Sequence, residues 1–332
     1  MKVSFYTVES NLKTNNGYGY AGSLIRDSLT ELGHTVKFND RTADVQLNFC
    51  QPTLYSKFNN QYTIGYTPWE SSSLPKGWKR ALNSVNEVWT TSTKCREWFE
   101  SEGIKRDIYV YEHGIEPIWS LKKRNPQKKL RFLHVGEPAP RKGGQMALDA
   151  FIRAFGIRED VSLTIKAHRH STVRVFASHV NRGGPRSILG LPHEVYKNVT
   201  VINDSLSTDE LVALYHSHDV LVYPSWGEGF GLIPLQALAT GMPTMCTGAW
   251  APYSEFLNEL DIPSRIHSSP WPDMHPGMMY EPDFNELVDM YRDVYSRFSY
   301  FSELFFEQAD DVHDRFNWKN LTEQAFRHLE NN

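Results

Sequence analysis

The chain is poor in cysteine and carries little net charge. Its three cysteines, Cys50, Cys95 and Cys246, are far apart, and none belongs to a Cys-x-x-Cys motif. This spacing argues against a disulfide framework and favours a reducing compartment. The formal net charge is −4 at pH 7, so no overall charge excess steers the protein toward nucleic acid or anionic membranes.

Long apolar runs are also missing from the 332 residues. No stretch approaches the length needed to cross a bilayer, so we expect no integral membrane segment. Residues 1–9 are too short and too quickly polar for a signal peptide, and they predict a first strand instead. Together with the cysteine usage, these features predict a cytoplasmic protein.

What the sequence does contain is a regular alternation of strand and helix patterns, without internal repeats. Such alternation predicts parallel sheets covered by helices on both faces, and the length suits two domains with separate cores. A basic run at residues 122–129, interrupted by Pro126, predicts the linker between them. We therefore predict the α/β class, with Rossmann-like domains at residues 1–125 and 126–308 that face a central cleft.

The most informative segment is residues 219–243. An apolar strand at residues 220–223 precedes a glycine-flanked turn around Glu228, and a helix with Pro234 in its first turn is predicted to follow. Amides at a helix start attract phosphate and sugar oxygens, and a carboxylate accepts hydrogen bonds from hydroxyls. The turn therefore predicts a ligand with both sugar and phosphate groups. Four amides are expected to point at it, those of Gly229, Phe230, Gly231 and Leu232.

These residues resemble the donor-site signature of the family 4 glycosyltransferases, which are retaining enzymes of the GT-B fold. The family pattern is Ser-x-x-Glu-Gly-Phe-Gly-Leu, and Ser225 and residues 228–232 match it. A second glutamate of the family, eight residues after the first, grips the ribose hydroxyls, and Gln236 stands at that position here. The resemblance implies that Glu228 accepts hydroxyls of the transferred sugar and that Gln236 takes the ribose.

A second motif, residues 136–144, opens the second domain at a predicted strand-to-helix junction. It brings Arg141 and Lys142 to the carboxyl edge of the sheet, where cations stabilise the charge that grows on a departing diphosphate. The family's usual form is Gly-Arg, a short loop and then Lys-Gly. Lys142 matches this form, whereas Glu137 occupies the arginine position, so Arg141 is the candidate guanidinium.

The first domain supplies further candidates by the same resemblance. Gly17 and Gly19 are implied to lie under the donor phosphates and the reacting sugar. Residues 66–75 resemble an acceptor-side segment in which many relatives carry a histidine that faces the reacting carbon, and Glu70 takes its place. Glu70 is therefore predicted either to hold the acceptor hydroxyl or the donor sugar, or to cap the helix that starts near Pro75.

Three alternative functions stay open. Residues 17–22 form a Gly-x-Gly-x-x-Gly motif with Asp40 after the next strand, as in NAD(P)-dependent oxidoreductases, but eight residues stand before the first glycine where the turn should be tight. The departures at Glu137 and Gln236 fit a non-catalytic sugar-nucleotide binder. Basic residues at 122–131 and 169–186 permit a glycosyltransferase that acts on hydroxylated bases of DNA, as some phage-encoded relatives do.

Metal ligands are not evident in the sequence. It has no Asp-x-Asp triplet, which provides the divalent-cation site of many other sugar-nucleotide enzymes. The histidine pairs 168/170 and 216/218 have no carboxylate or cysteine in register, and residues two apart diverge on a helix. We therefore predict no metal site.

The combined prediction is a metal-independent, retaining glycosyltransferase that moves a sugar from a nucleotide-sugar to an acceptor hydroxyl. The nucleotide-sugar is a co-substrate, and no cofactor is expected. The acceptor is a saccharide, a lipid-linked molecule or a modified DNA base. The resemblance further implies that residues 309–332 form a helix that crosses back to the first domain.

Overall fold

The computed structural model of the protein describes residues 1–13, 16–56, 62–125, 128–136, 139–167 and 197–330. Its strands are β1 (Lys2–Tyr6), β2 (Thr35–Phe38), β3 (Val45–Phe49), β4 (Tyr62–Tyr66), β5 (Glu87–Thr90), β6 (Ile108–Val110), β7 (Leu130–Val135), β8 (Val161–Lys166), β9 (Val199–Ile202), β10 (Val220–Tyr223), β11 (Thr244–Cys246), β12 (Ser264–Ser268) and β13 (Met278–Pro282). Its helices are α1 (Glu9–Lys13), α2 (Gly17–Glu31), α3 (Trp78–Leu82), α4 (Thr93–Ser101), α5 (Gly144–Phe155), α6 (Thr208–His216), α7 (Leu232–Ala239), α8 (Phe284–Ser296), α9 (Phe298–Glu307), α10 (Ala309–Arg315) and α11 (Trp318–Glu330). Within these described ranges, every helix is too short or too polar to span a bilayer.

The first domain is built on a six-stranded parallel sheet in the order β2-β1-β3-β4-β5-β6. Every residue of β3 and β5 is buried, as expected of parallel strands that are covered on both faces. At the end of β4, the Tyr66 ring packs 5.2 Å from the Tyr111 ring, and the Tyr66 hydroxyl donates to the Tyr111 carbonyl at 2.5 Å. These contacts hold the segments that follow β4 and β6 close together.

The second domain is built on a five-stranded parallel sheet in the order β11-β10-β7-β8-β9. Its helices α5 and α8 pack against each other, and Tyr291 of α8 lies among the rings of Phe132, Phe151 and Phe155. Because β7 and β10 are neighbours, the turns that follow them lie side by side at one edge of the sheet.

The chain passes between the two domains where residues near Ile115 and Phe316 meet. Ile115 forms a parallel bridge with Asn317, and its amide donates to the Phe316 carbonyl at 2.7 Å. Beyond this point, α11 packs against α2, and Trp318 and Phe326 join the apolar core of the first domain. The last helix therefore lies on the first domain, whereas the limits that we assigned to the domains stay predictions.

Strands β12 and β13 form an antiparallel hairpin that also touches the first domain. The Ser72 amide donates to the Met278 carbonyl at 2.9 Å, and the Met278 amide donates to Ser72 Oγ at 2.7 Å. Gly277 has φ 86°, and a Cβ there would lie 2.5 to 2.8 Å from atoms of Ser72 and Ser73. Glycine at this position permits the close approach of the two domains.

The start of α2 differs from the sequence prediction. The apolar pattern of residues 21–32 predicts a helix that begins at Ala21, whereas α2 begins at Gly17. Asn16 caps it, because its side-chain oxygen accepts a hydrogen bond from the Gly19 amide at 2.8 Å. The glycine-rich segment is therefore the first turn of a helix rather than a loop. The sequence pattern also predicts a helix over residues 76–85, and the observed helix α3 is shorter, covering Trp78–Leu82.

Part of the basic run around residue 124 is structural. Arg124 is 5% exposed, and its guanidinium donates to the carbonyls of His218 at 3.0 Å and Thr240 at 2.7 Å. Arg131 pairs with Asp219 at 2.9 Å. Buried Arg124 therefore stabilises the second domain and presents no charge at the surface, whereas the Arg131 side chain is 44% exposed and paired with Asp219. The basic residues at 169–186 lie outside the described residues.

Candidate active site

The predicted site residues gather in one cavity between the two domains. The cavity has a volume of about 640 Å³ and is lined by residues of both. Segments that follow β4, β6, β7 and β10 reach it, since the carboxyl ends of parallel strands form the ligand-binding edge of such sheets. The predicted residues that line it are Gly17, Glu70, Arg141, Lys142, Glu228, Gly229, Phe230, Gly231, Leu232 and Gln236.

Glu228 is the most heavily bonded group of the cavity. It is 8% exposed, and one carboxylate oxygen accepts from Arg141 Nη1, the Tyr223 hydroxyl and Ser225 Oγ, each at 3.0 Å. The other oxygen accepts from Lys142 Nζ at 2.8 Å. A buried carboxylate is stable only when it is paired and hydrogen-bonded. The two cations and two hydroxyls satisfy this requirement for Glu228.

These partners also set the ionisation of Glu228. Burial acts to raise the pKa of its carboxyl, but the charges of Arg141 and Lys142 and the hydrogen bonds from Lys142 and Ser225 outweigh burial and lower the pKa to about 2. Burial and the Glu228 charge raise the pKa of Tyr223 well above its usual value, so Tyr223 stays a donor. Glu228 is therefore ionised at neutral pH and suited to accept hydrogen bonds.

Arg141 and Lys142 lie on a short 3-10 turn between β7 and α5. Their side chains are only 12% and 15% exposed. Gly143 ends the turn with φ 74°, and a Cβ there would collide with the Pro224 carbonyl, so glycine is required for this geometry. Arg141 also donates to the Gly227 carbonyl, which fastens the guanidinium to the turn after β10.

Glu70 faces this cluster from the first domain. Its carboxylate lies 3.5 Å from Arg141 Nη2 and 3.9 Å from His275 Nδ1. It does not cap the following helix, because the N-cap of α3 is Gly77, which has no side-chain bond to offer. The capping hypothesis for Glu70 is therefore wrong. Arg141 joins Glu70 and Glu228, so a single guanidinium holds one carboxylate from each domain.

The turn after β10 leads directly into α7, as the sequence predicts. Gly231 precedes the helix with φ 85°, a conformation that glycine adopts without strain. Leu232 is the first helical residue, and Pro234 lies in the first turn. The first amides of a helix lack intrahelical acceptors, so this helix start offers donors to a ligand in the cavity.

Side chains of the first domain also contact the turn that follows β10. The Gly229 carbonyl accepts from the Thr91 hydroxyl at 2.6 Å and from the Cys95 thiol at 3.4 Å. Phe230 is buried, and its ring lies 5.0 Å from the His113 ring. The turn is thus held between the two domains and is not an independent loop of the second.

Gln236 lies about one turn further along α7, is 5% exposed and lines the cavity. Tyr20 of α2 approaches it from the first domain. The Tyr20 hydroxyl donates to the Glu116 carboxylate and accepts from Trp119 Nε1 at 3.3 Å, and Tyr20 and Gln236 both line the cavity. Sequence reasoning missed the Tyr20–Glu116 hydrogen bond, because the two residues are 96 positions apart.

Only part of the glycine-rich start of α2 lines the cavity. Gly17 lines the cavity, and a Cβ added there meets no atom within 4 Å. Gly19 is not among the described lining residues, and its amide is bonded to Asn16. Helix α1 intervenes between β1 and Gly17, where a dinucleotide fold needs a tight turn. The Asp40 carboxylate is bonded to Thr42 at 2.8 and 2.9 Å. These features weigh against the oxidoreductase hypothesis.

Other sequence candidates lie away from this cluster or outside the described residues. Glu137 and the pair His168/His170 lie outside the described residues. His216 Nε2 is hydrogen-bonded to the Ser120 carbonyl, and His218 Nε2 to the Thr164 hydroxyl, both at 2.8 Å. Across the part of the chain that the structure describes, no three His, Cys, Asp or Glu side chains are grouped as metal ligands.

Comparisons with known proteins agree with this geometry. A family model described as Family 4 Glycosyltransferase in conflict systems matches residues 94–250. The chain is also similar to "Putative glycosyltransferase 45" of Sulfolobus islandicus filamentous virus, isolate Iceland/Hveragerdi. The two are 23% identical over 293 residues, which cover 82% of this chain and 79% of the viral protein.

Solved structures share the fold over most of the chain. Sucrose-phosphate synthase from Thermosynechococcus elongatus has a TM-score of 0.70 at 14% identity and covers 100% of this chain and 98% of its own. The pneumococcal O-GlcNAc transferase GtfA, solved with UDP and GlcNAc, has a TM-score of 0.61 at 12% identity and covers 92% of this chain and 59% of its own.

Two Rossmann-like domains around a shared cavity, together with these structural neighbours, define an α/β protein of the GT-B fold. The predicted fold class is therefore confirmed. The matched family model and the viral relative add information on the class of enzyme. Together with the fold, they support a family 4-like glycosyltransferase.

Proposed function

We propose that the protein is a retaining, metal-independent glycosyltransferase that uses a nucleotide-sugar. The observation that carries this proposal is the buried Glu228 carboxylate, joined to Arg141 at 3.0 Å and to Lys142 at 2.8 Å in the interdomain cavity. A carboxylate suits sugar hydroxyls, and two cations beside a helix start suit a diphosphate. The cytoplasmic location belongs to this proposal, and the three free, buried cysteines fit a reducing compartment.

The site chemistry follows from these charges. The diphosphate lies against Arg141, Lys142 and the amides at the start of α7, and the sugar lies beside Glu228. As the bond from the anomeric carbon to the phosphate oxygen breaks, the negative charge on the diphosphate grows, and the preorganised donors stabilise it. The acceptor oxygen bonds to the same face of that carbon, and its proton passes to the leaving phosphate oxygen. Such a displacement needs no separate base, and Glu70 orients the acceptor hydroxyl or the sugar.

The test is transfer from UDP-, GDP- and ADP-linked sugars to a panel of acceptors in the presence of EDTA. UDP-sugars come first, because a structural neighbour is solved with UDP. We expect nucleoside diphosphate release and a product whose anomeric configuration, measured by proton NMR, matches that of the donor. An inverted product contradicts retention, and activity only with added Mg²⁺ contradicts metal independence. Nucleotide binding without transfer would favour the non-catalytic binder.

Variants of Glu228 and Lys142 test the central observation. Glu228→Gln removes the charge at constant shape, and Lys142→Ala removes one cation. Each is expected to lower kcat/KM by about two to three orders of magnitude, as loss of a preorganised donor or acceptor does in such sites. Glu259→Gln is the matched control, because Glu259 pairs with Arg297 at 2.7 Å on the surface. Near-native turnover by Glu228→Gln or Lys142→Ala would refute the assignment.

A second acceptor class is favoured by the comparisons. The matching family model is described by conflict systems, and one relative is viral, so hydroxylated bases of DNA join the acceptor panel. A hydroxymethyl group on a base offers the primary hydroxyl that the reaction needs. If DNA is the acceptor, sugar is transferred to duplexes with 5-hydroxymethylcytosine and not to unmodified duplexes of the same sequence. Absence of transfer to both would exclude this acceptor.

A further inference from the structure

The β12–β13 hairpin of the second domain brings His275 against Glu70 of the first. The Ser73 amide donates to the Pro276 carbonyl at 3.3 Å, and the His275 ring lies 5.4 Å from the Trp69 ring. These contacts involve residues that are close to Glu70 or to His275 in the chain. They therefore hold the two side chains together, with 3.9 Å between Glu70 Oε2 and His275 Nδ1.

The Nδ1 atom of His275 is buried, and within the described residues no atom is its hydrogen-bond partner. At 3.9 Å the Glu70 carboxylate is too far away for a hydrogen bond. A movement of about 1 Å would shorten this separation to about 2.8 Å, the length of a charge-assisted hydrogen bond. A buried nitrogen without a partner is costly, so the geometry predicts that Nδ1 gains this partner in another state of the site.

Charges of both signs surround the His275 ring. Burial is the main cause that lowers the pKa of His275. Two carboxylates oppose this effect and two cations add to it, namely Glu70 and Glu228, and Arg141 and Lys142. The imidazole is therefore neutral at pH 7, and removal of the cations' effect favours its protonation.

A donor diphosphate has this effect under the proposed function, on which the inference rests. The diphosphate lies against Arg141 and Lys142, so its negative charge offsets theirs. It also competes for Arg141 Nη2, which lies 3.5 Å from Glu70. This contact is longer than those of Glu228 with the two cations, at 3.0 and 2.8 Å, and is therefore the first to break.

We propose that His275 is a positioning residue that holds Glu70 when the donor is bound. His275 takes up a proton from solvent, which reaches its 16% exposed side chain, and Nδ1–H donates to the Glu70 carboxylate. Glu70 thus stays oriented toward the acceptor while Arg141 engages the diphosphate. Because His275 belongs to the second domain and Glu70 to the first, one interdomain contact replaces another.

Proton uptake on donor binding tests this proposal without any need for transfer. UDP-glucose is titrated into the whole chain by calorimetry, in buffers that differ in ionisation enthalpy, and GDP-mannose and ADP-glucose are used in the same way. Both phosphates of these probes are esterified, so they lack the phosphomonoester proton that titrates near about pH 6. The native protein should take up about half a proton per bound donor, and its affinity should fall as the pH rises from about 6 to about 8.

His275→Asn is the decisive variant. Asparagine places an amide nitrogen close to the position of Nδ1 but does not titrate, so the proton uptake should be lost. His267→Asn is the matched control, because His267 is exposed on β12 of the same hairpin and its Nδ1 is hydrogen-bonded to the Ser268 carbonyl at 2.8 Å. This control should keep the native uptake.

The outcomes separate the inference from the proposed function. If donor binding takes up as many protons in His275→Asn as in the native protein, or none in the native protein, the inference is overturned and the proposed function stands. If none of the three nucleotide-sugars binds the native protein, both fail.

Kinetics provide a second test, which distinguishes positioning from a loss of stability. His275→Ala should lower kcat by about tenfold, because Glu70 loses a hydrogen-bond donor, and should change the donor KM by about twofold or less. His275→Asn should keep kcat within about threefold of the native value, since its amide still donates to Glu70. Equal kcat losses in the two variants, or native kcat in His275→Ala, would contradict the positioning role.

Discussion

Ionisation of Glu228 contributes to stability as well as to the site. Its pKa is about 2 in the folded protein against an ordinary value of 4.5. A carboxyl whose pKa is depressed by folding stabilises the native state above its unfolded pKa and loses that contribution as the pH falls through its folded pKa. Glu228→Gln should therefore have a lower Tm than the native protein at pH 7.

The pH dependence of the Tm difference between Glu228→Gln and the native protein tests the depressed pKa of Glu228. Between pH 4.5 and pH 2, the range set by the two pKa values of Glu228, the Tm gap between Glu228→Gln and the native protein should narrow. Other carboxylates titrate in both proteins, so their effects cancel in the comparison. A gap of constant size in thermal melts followed by circular dichroism would contradict the depressed pKa.

The site residues fall into two groups, according to the sequence separation between each residue and its partners. Glu228, Arg141 and Lys142 each belong to a short motif at a strand end, so their convergence could be predicted from the sequence. The pairing of Tyr20 with Glu116 depends on how two separate segments meet, and no local pattern encodes it. His275 reaches Glu70 only because the β12–β13 hairpin folds onto the first domain.

At the scale of elements, the N-terminal cap of α2 links stability to the cavity. Asn16→Ala removes the acceptor for the Gly19 amide and should lower the free energy of unfolding by about 1 kcal/mol. Since Gly17, Tyr18 and Tyr20 of the same helix line the cavity, this variant should also weaken nucleotide binding. Thermal unfolding and calorimetry measure the two effects separately.

A second capped helix provides the control. Asp283 caps α8 by accepting from the amides of Asn285 and Glu286, and α8 does not contribute to the described cavity wall. Asp283→Ala should cost a similar free energy of unfolding, about 1 kcal/mol, and leave nucleotide affinity unchanged. Equal affinity losses in both variants would show that the binding effect of Asn16→Ala is only a consequence of lower stability.

Element boundaries were predictable where a strong local signal exists. Helix α6 starts at a capping box in which Ser207 and Glu210 bond each other's main chain, and α7 starts after a glycine with positive φ. Sequence patterns predict a helix at residues 208–216 and another that begins near Leu232, and the structure has both. The start of α2 was placed four residues too late, because its apolar pattern begins at Ala21 while the cap, Asn16, lies before two glycines of low helix propensity.

At the scale of the whole molecule, residues of both domains line the cavity, and under the proposed function the donor enters between them. We expect donor binding to draw the domains together, since Glu70 and Glu228 lie on different halves and share Arg141. Small-angle scattering should show a smaller radius of gyration at saturating nucleotide diphosphate. Identical profiles with and without nucleotide would count against closure.

One interdomain hydrogen bond, from Thr91 to the Gly229 carbonyl, allows a specific test of domain closure. Thr91→Val removes the hydroxyl that donates to the Gly229 carbonyl at 2.6 Å and should reduce the nucleotide-induced compaction. Thr30→Val is the control, because Thr30 Oγ1 donates to the Arg26 carbonyl at 2.8 Å within a single exposed helix turn. Full compaction in Thr91→Val would show that this bond does not hold the closed form.

The interdomain hydrogen bonds to the Gly229 carbonyl also limit which domains can be exchanged between such enzymes. Its carbonyl accepts from Thr91 and Cys95 of the first domain, so the turn after β10 depends on a first domain that brings matching hydrogen-bond donors. A chimaera with a foreign first half inherits a competent turn only if that half carries a hydroxyl or thiol at these positions. Exchange of first domains is thus limited by two side chains that are absent from the described cavity wall.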